Sequence, residues 1–175
     1  MIEFGILNFL NSVKELQRRG ELKKWDPWII TVHAIHESDS FRRVIGNHNY
    51  WGIKTPRRWH GKVVKVKTHE YKLSPPKHGP YKVVKGRNGK IYYRIPVMAR
   101  FVDFDSLEEA LIFYEDLVKH VYKTAYRYRD NYRVYFPELV RGPVRWATDP
   151  KYAQKLVRLY DHIIDKYGYL SLEVG

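Results

Sequence analysis

The first apolar pattern along the chain is helical. Phe4, Ile6, Leu7, Leu10, Val13 and Leu16 recur close to helical spacing, charge gathers at Arg18 and Arg19, and Gly20 offers a stop, which predicts a helix over residues 4–19. A second helix starts at Asp26-Pro27, with Asp as N-cap and Pro where an N–H would be unpaired in any case. From Trp28 to Ile35 only Thr31 and His33 are polar, so this helix is expected to be central and buried on most sides. After Ser40 the texture turns to β-branched and aromatic alternation. Residues 62–68 read as a strand, and the runs 81–85 and 91–95 flank Gly86-Arg87-Asn88-Gly89 as a hairpin that Val97 to Phe101 extends. Helical texture returns at Ser106-Leu107-Glu108-Glu109, a capping box that leads a helix to about Lys123. Residues 126–141 predict short helices or turns. Asp149-Pro150 then repeats the Asp-Pro start, ahead of a last helix carrying Tyr152, Leu156, Leu159, Ile163 and Tyr167. The layout is α+β within one domain, residues 1–175. It predicts a mainly helical body (1–48 and 102–175), a small β-lobe (about 50–101), and a cleft between them as the binding site.

Composition narrows the classes. With 175 residues, 44% hydrophobic and 15% aromatic, the chain can bury a core, which excludes global disorder. The absence of Cys excludes a disulfide framework, a thiolate nucleophile and a thiolate metal site. No apolar run approaches the ~18 residues of a membrane span. The N-terminal stretch carries Glu3 and turns polar at Asn8, so it does not read as a signal peptide. Charge changes the picture further. The net charge is +13, yet residues 42–100 hold sixteen Lys or Arg and one acid, Glu70, while the remainder is close to neutral. A basic lobe on a neutral body predicts a polyanionic partner.

Glu37 is the first candidate for chemistry. It ends the apolar second helix, where desolvation and the helix C-terminal dipole both favour a protonated carboxyl, the state a glycosidase needs to protonate a leaving oxygen. The order His33-x-x-His36-Glu37 matches no zinc-protease motif, and neither a metal nor another cofactor is expected. A nucleic-acid-binding module is the reading of another class, from basic residues interleaved with Tyr and Trp. No helix-turn-helix, zinc-finger or RNP signature accompanies them and Glu37 would be left unexplained, so no nucleic-acid partner is expected.

Five landmarks in order resemble glycoside hydrolase family 73, the bacterial endo-β-N-acetylglucosaminidases. They are Glu37-Ser38, then Asn49-Tyr50-Trp51-Gly52-Ile53-Lys54, Thr68-His69-Glu70-Tyr71, Phe104 to Glu109, and Trp146-Ala147-Thr148-Asp149-Pro150-Lys151-Tyr152-Ala153. The resemblance implies a lysozyme-like fold and cleavage of peptidoglycan glycan strands between N-acetylglucosamine and N-acetylmuramic acid. Glu37 would be general acid and Glu70 the second carboxylate. Trp51, Trp59 and Tyr71 would be sugar platforms, with core packing the equal alternative for Trp51. Asn49 would bond an N-acetyl group or brace the loop, and either Tyr152 supplies the hydroxyl missing at position 146 or Trp146 is a further platform. A muramidase or lytic transglycosylase of the same fold is the neighbouring alternative. The family usually carries Tyr where Trp146 stands, Arg and Tyr within the stretch Phe101-Val102-Asp103-Phe104, and Gly at Asp39. The expected protein is a monomer made in the cytoplasm. It would act on the wall after release, as a phage endolysin does, or from a virion, with the basic lobe on an anionic wall polymer or membrane.

Overall fold

The computed structural model describes residues 2–86 and 88–174, so Arg87 of the predicted hairpin turn lies outside it. Helix α1 (Ile2–Arg18) buries Ile6, Phe9, Leu10, Val13 and Leu16 along one stripe. Gly20 reverses the chain with φ 75°. Helix α2 (Pro27–Glu37) starts where predicted: the Asp26 carboxylate accepts the Trp28 N–H at 2.9 Å. All of Trp28 to Ile35 is buried, including Thr31 and His33, and α2 packs against α1 and α6.

The sheet consists of β1 (Val63–Lys72), β2 (Lys82–Lys85) and β3 (Ile91–Val102), antiparallel in the order β1-β3-β2. β1 continues beyond the predicted end, and β3 is one strand through Pro96, whose partner in register is His69. Helices α3 (Leu107–Val121), α4 (Lys123–Arg127), α5 (Tyr132–Val140) and α6 (Tyr152–Tyr167) follow, with a 3₁₀ turn at Gly168–Leu172. The capping box is displaced by one residue. Ser106 Oγ accepts the Glu109 N–H at 3.1 Å, but the Glu109 carboxylate takes the Asp105 N–H at 2.7 Å rather than that of Ser106. Asp149 is not the N-cap of α6. Its carboxylate accepts the Lys151 N–H at 2.9 Å and pairs with Lys155 at 2.5 Å, closing a local turn before the helix starts at Tyr152.

Contacts divide the chain into two compact units, Met1–Gly52 with Phe104–Gly175, and Ile53–Asp103. The helical unit is tied together by the buried Glu115 of α3. Its carboxylate accepts from the Lys23 N–H (3.2 Å), Trp25 Nε1 (3.1 Å) and the Tyr126 hydroxyl (3.0 Å). Among the described residues no helix is long and apolar enough to cross a membrane.

Candidate active site

Helix α2 ends at Glu37, and the next turn is unusual. Asp39, Ser40 and Phe41 all lie in the left-handed region, at φ 50°, 59° and 65°, a conformation disfavoured for residues that carry side chains. Ser38 holds the turn from inside: its hydroxyl donates to the Ala34 carbonyl at 2.6 Å and accepts the Phe41 N–H at 3.0 Å. Outside, Arg42 pairs with Asp39 at 2.7 Å. The Phe41 ring stacks on Phe9 with centroids 5.2 Å apart. The chain thus leaves the helix abruptly, and the Glu37 side chain stays 23% exposed at its end.

Glu37 terminates a chain of buried polar groups. The Tyr152 hydroxyl donates to Glu37 Oε1. With that proton used, the Tyr152 oxygen can meet His33 Nε2, 2.8 Å away, only as an acceptor, so the network assigns a proton to Nε2. His33 Nδ1 lies 2.6 Å from the Tyr114 hydroxyl, which lies 2.7 Å from that of Tyr135. His33, Tyr114 and Tyr135 are fully buried and Tyr152 is nearly so, yet each polar tip has a partner within the chain. Both nitrogens of His33 are engaged by hydroxyls, which removes it as a metal ligand.

These donors decide the state of Glu37. Burial pushes its carboxyl up. The His33 imidazole, with Nε2 3.7 Å from Oε1, and the Tyr152 hydroxyl outweigh burial, His36 adds to them, and the group lies below the ordinary carboxylate value. At 3.7 Å the His33 contact is too long for a direct hydrogen bond, so its influence is electrostatic and Tyr152 is the bridge. The expectation of a carboxyl kept protonated by burial is therefore corrected: the buried surroundings of Glu37 carry donors. Burial and then the Glu37 charge push the Tyr152 phenol far above its usual range, which keeps it a donor.

The other candidates divide. Trp146, half-buried, places its ring 4.6 Å from that of His33 and 5.4 Å from that of Tyr122, against the chain that leads to Glu37. Trp51 is 2% exposed and stacks on Tyr114 at 4.4 Å, and Asn49 is 1% exposed. Neither presents a surface to a sugar. Their place is in the core behind the site, which corrects their assignment as substrate contacts. In the other unit, Trp59 folds onto its own loop: Nε1 donates to the Lys62 carbonyl at 2.9 Å, and a Cβ on Gly61 would come within 2.4 Å of the indole. Glu70 is exposed on β1, opposite Ile95, and Tyr71 is opposite Arg94. Neighbours on a strand face opposite sides, so Glu70 and Tyr71 do not share a surface. Sequence reasoning missed the roles of His33, Tyr114 and Tyr135. Only the i, i+4 relation of His33 to Glu37 signalled any of it, since the tyrosine partners of His33 lie 81 and 119 residues away.

The profile of the family described as Glucosaminidase: Mannosyl-glycoprotein endo-beta-N-acetylglucosaminidase matches residues 13–165. Among solved structures, a peptidoglycan hydrolase from Sphingomonas sp. A1 superposes with a TM-score of 0.67 at 23% identity, covering 98% of this chain and 95% of that one. A mutant of peptidoglycan hydrolase from the same organism is 25% identical, with a TM-score of 0.63 over 89% of this chain and 92% of that one. The C-terminally truncated glycoside hydrolase domain of Salmonella typhimurium FlgJ matches with a TM-score of 0.60 at 23% identity, covering 91% and 96%. No curated protein matches by sequence.

Proposed function

The chain belongs to this Glucosaminidase family and is a glycoside hydrolase, and from that premise we propose that it cleaves bacterial peptidoglycan at the β-1,4 bond after N-acetylglucosamine, with Glu37 as general acid. The observation that carries the reading is the Glu37 carboxylate at the end of α2, partly exposed and bonded by the Tyr152 hydroxyl. The substrate class draws support from structural relatives described as peptidoglycan hydrolases.

In the free enzyme the donors favour the Glu37 anion. A glycan lying over the carboxylate expels water from its exposed edge and so favours the acid. The proton passes from Glu37 to the glycosidic oxygen as the C1–O bond breaks. C1 is then attacked either by water, whose proton Glu70 accepts, or by the carbonyl oxygen of the substrate's own N-acetyl group.

Incubation of purified peptidoglycan with wild type, Glu37→Gln and Glu70→Gln, followed by identification of the new ends, tests this. Wild type should release N-acetylglucosamine reducing ends, and Glu37→Gln should lose roughly a thousandfold or more in turnover. Near-normal turnover by Glu37→Gln removes the assignment. Muramic-acid ends would indicate a muramidase, and anhydro ends a transglycosylase.

A further inference from the structure

The register of the sheet sorts its charges by face. Residues paired across an antiparallel ladder point to the same side, and residues two apart along a strand do as well. One face of the Ile53–Asp103 unit therefore carries Lys65, Lys67, Lys82, Arg94 and Arg100, together with His69, and no acid. Glu70 lies on the other face, with the half-buried Val66, Thr68, Ile95 and Val97. Among the described residues no carboxylate is within ion-pair distance of any of the five cations.

Two of the pairs are like-charged and directly opposite: Lys65 with Arg100, and Lys82 with Arg94. Such pairs destabilise a sheet, so the face is not explained by its own stability. Along β3 they are six residues apart, roughly 20 Å at the rise of a strand, with Lys67 between them on β1. At the second pair there is a hollow of about 310 Å³ lined by His69, Pro80, Tyr81, Lys82, Arg94 and Pro96. Arg94 Nη2 donates to His69 Nδ1 at 3.1 Å, which fixes the guanidinium at its edge. The hollow joins two cations to an aromatic ring and two proline rings, surfaces that suit an anionic group attached to a sugar or polyol.

We propose that this face is a track for a linear phosphodiester polymer of the cell wall, with a phosphate and its sugar or polyol seated in the hollow, on the side of the sheet opposite Glu70. The wall as the source of that polymer rests on the proposed function. Cations spaced along the strands, with one hollow at the Lys82–Arg94 pair, fit a chain of repeating charges better than they fit the continuous surface of a bilayer.

The test is co-sedimentation of the full chain with purified walls that carry phosphodiester polymer, and with the same walls after hydrofluoric acid has stripped it. Lys65→Gln/Arg100→Gln and Lys82→Gln/Arg94→Gln are compared with wild type. Wild type should bind intact walls in a salt-dependent way, each double variant should bind about tenfold more weakly, and stripped walls should bind all three equally poorly. Because like-charge pairs are relieved, Lys65→Gln/Arg100→Gln should melt no lower than wild type. Unchanged binding by both variants, or equal binding to intact and stripped walls, overturns the proposal. Tighter retention by duplex DNA or by anionic vesicles overturns the choice of occupant. Cleavage of soluble, polymer-free glycan fragments is measured alongside. It should be unaltered in both variants, and its absence from wild type would defeat the proposed function while leaving the wall-binding result to stand.

Discussion

Replacing Tyr152 with Phe removes one oxygen from the center of the site and keeps the ring that fills it. The side chain is 4% exposed, so packing is retained and the change is confined to hydrogen bonds. Two are lost: the one donated to Glu37 Oε1, and the one accepted from His33 Nε2 at 2.8 Å. A hydrogen bond to a charged group contributes about 1.5–3 kcal/mol, and about 1.4 kcal/mol is a factor of ten in an equilibrium. Losing the donor should therefore raise the ratio of protonated to ionised Glu37 by roughly ten- to a hundredfold at a given pH. A general acid works only when protonated, so kcat/KM falls as pH rises through the titration of Glu37 in the free enzyme. The assay is kcat/KM against pH on soluble glycan fragments. The high-pH limb of Tyr152→Phe should move to higher pH, whatever happens to the height of the plateau. A lower plateau with an unmoved limb would refute the role assigned to Tyr152, and a limb moved to lower pH would refute the sign. Stability gives an independent check. A carboxyl held below its ordinary value contributes stability above its unfolded titration, lost as pH falls through the folded one. The gap in Tm between wild type and Tyr152→Phe should thus be widest near neutral pH and close in acid.

His33→Phe keeps an aromatic ring among Tyr114, Trp146 and Tyr152 but strands two buried hydroxyls, and should cost about 2–4 kcal/mol in urea unfolding, with Tyr114→Phe costing less. Glu115→Ala should cost about 3 kcal/mol in the same measurement, because the Lys23 N–H, Trp25 Nε1 and the Tyr126 hydroxyl lose a common acceptor. Ser40→Gly should stabilise by about 0.5–1 kcal/mol, since Gly adopts a positive φ without the side-chain penalty but adds freedom to the unfolded chain; calorimetry should show Tm rising by about 1–4 °C.

Legibility in the sequence followed the range of the interaction. The start of α2 was readable because Asp26 and Pro27 act on their own helix, and α1 because one stripe of apolar residues repeats within a few turns. The beginning of α6 was misread for the converse reason: Asp149 accepts the N–H two residues on as Asp26 does, but its carboxylate also pairs with Lys155, and the helix starts only at Tyr152. Glu37 could be named from its place at the end of an apolar helix, whereas its protonation could not. That is set by burial against His33, His36 and the Tyr152 hydroxyl, and the last of these comes from α6, brought to Glu37 only by folding. Trp51 shows the same limit. An indole two residues from Asn49 reads equally as platform or as core, and only its stacking on Tyr114 decides for core.

The pairing of Trp146 with Tyr152 gives the site an internal division of labor. Trp146 stands where the family usually carries a tyrosine, and an indole has no hydroxyl to offer a carboxylate. The phenol at Glu37 is instead that of Tyr152, on the first turn of α6. What the indole adds is cover: its ring lies 4.6 Å from His33 and 5.9 Å from Tyr114, the two groups that lead to Tyr152. Water kept off those groups leaves their hydrogen bonds in a low-dielectric setting, where each is stronger and an unmade one more costly. A ring without a hydroxyl at position 146 leaves Tyr152 as the hydroxyl bonded to both His33 and Glu37. The substitution is therefore consistent with the same chemistry, provided the donor and the shield are two residues rather than one.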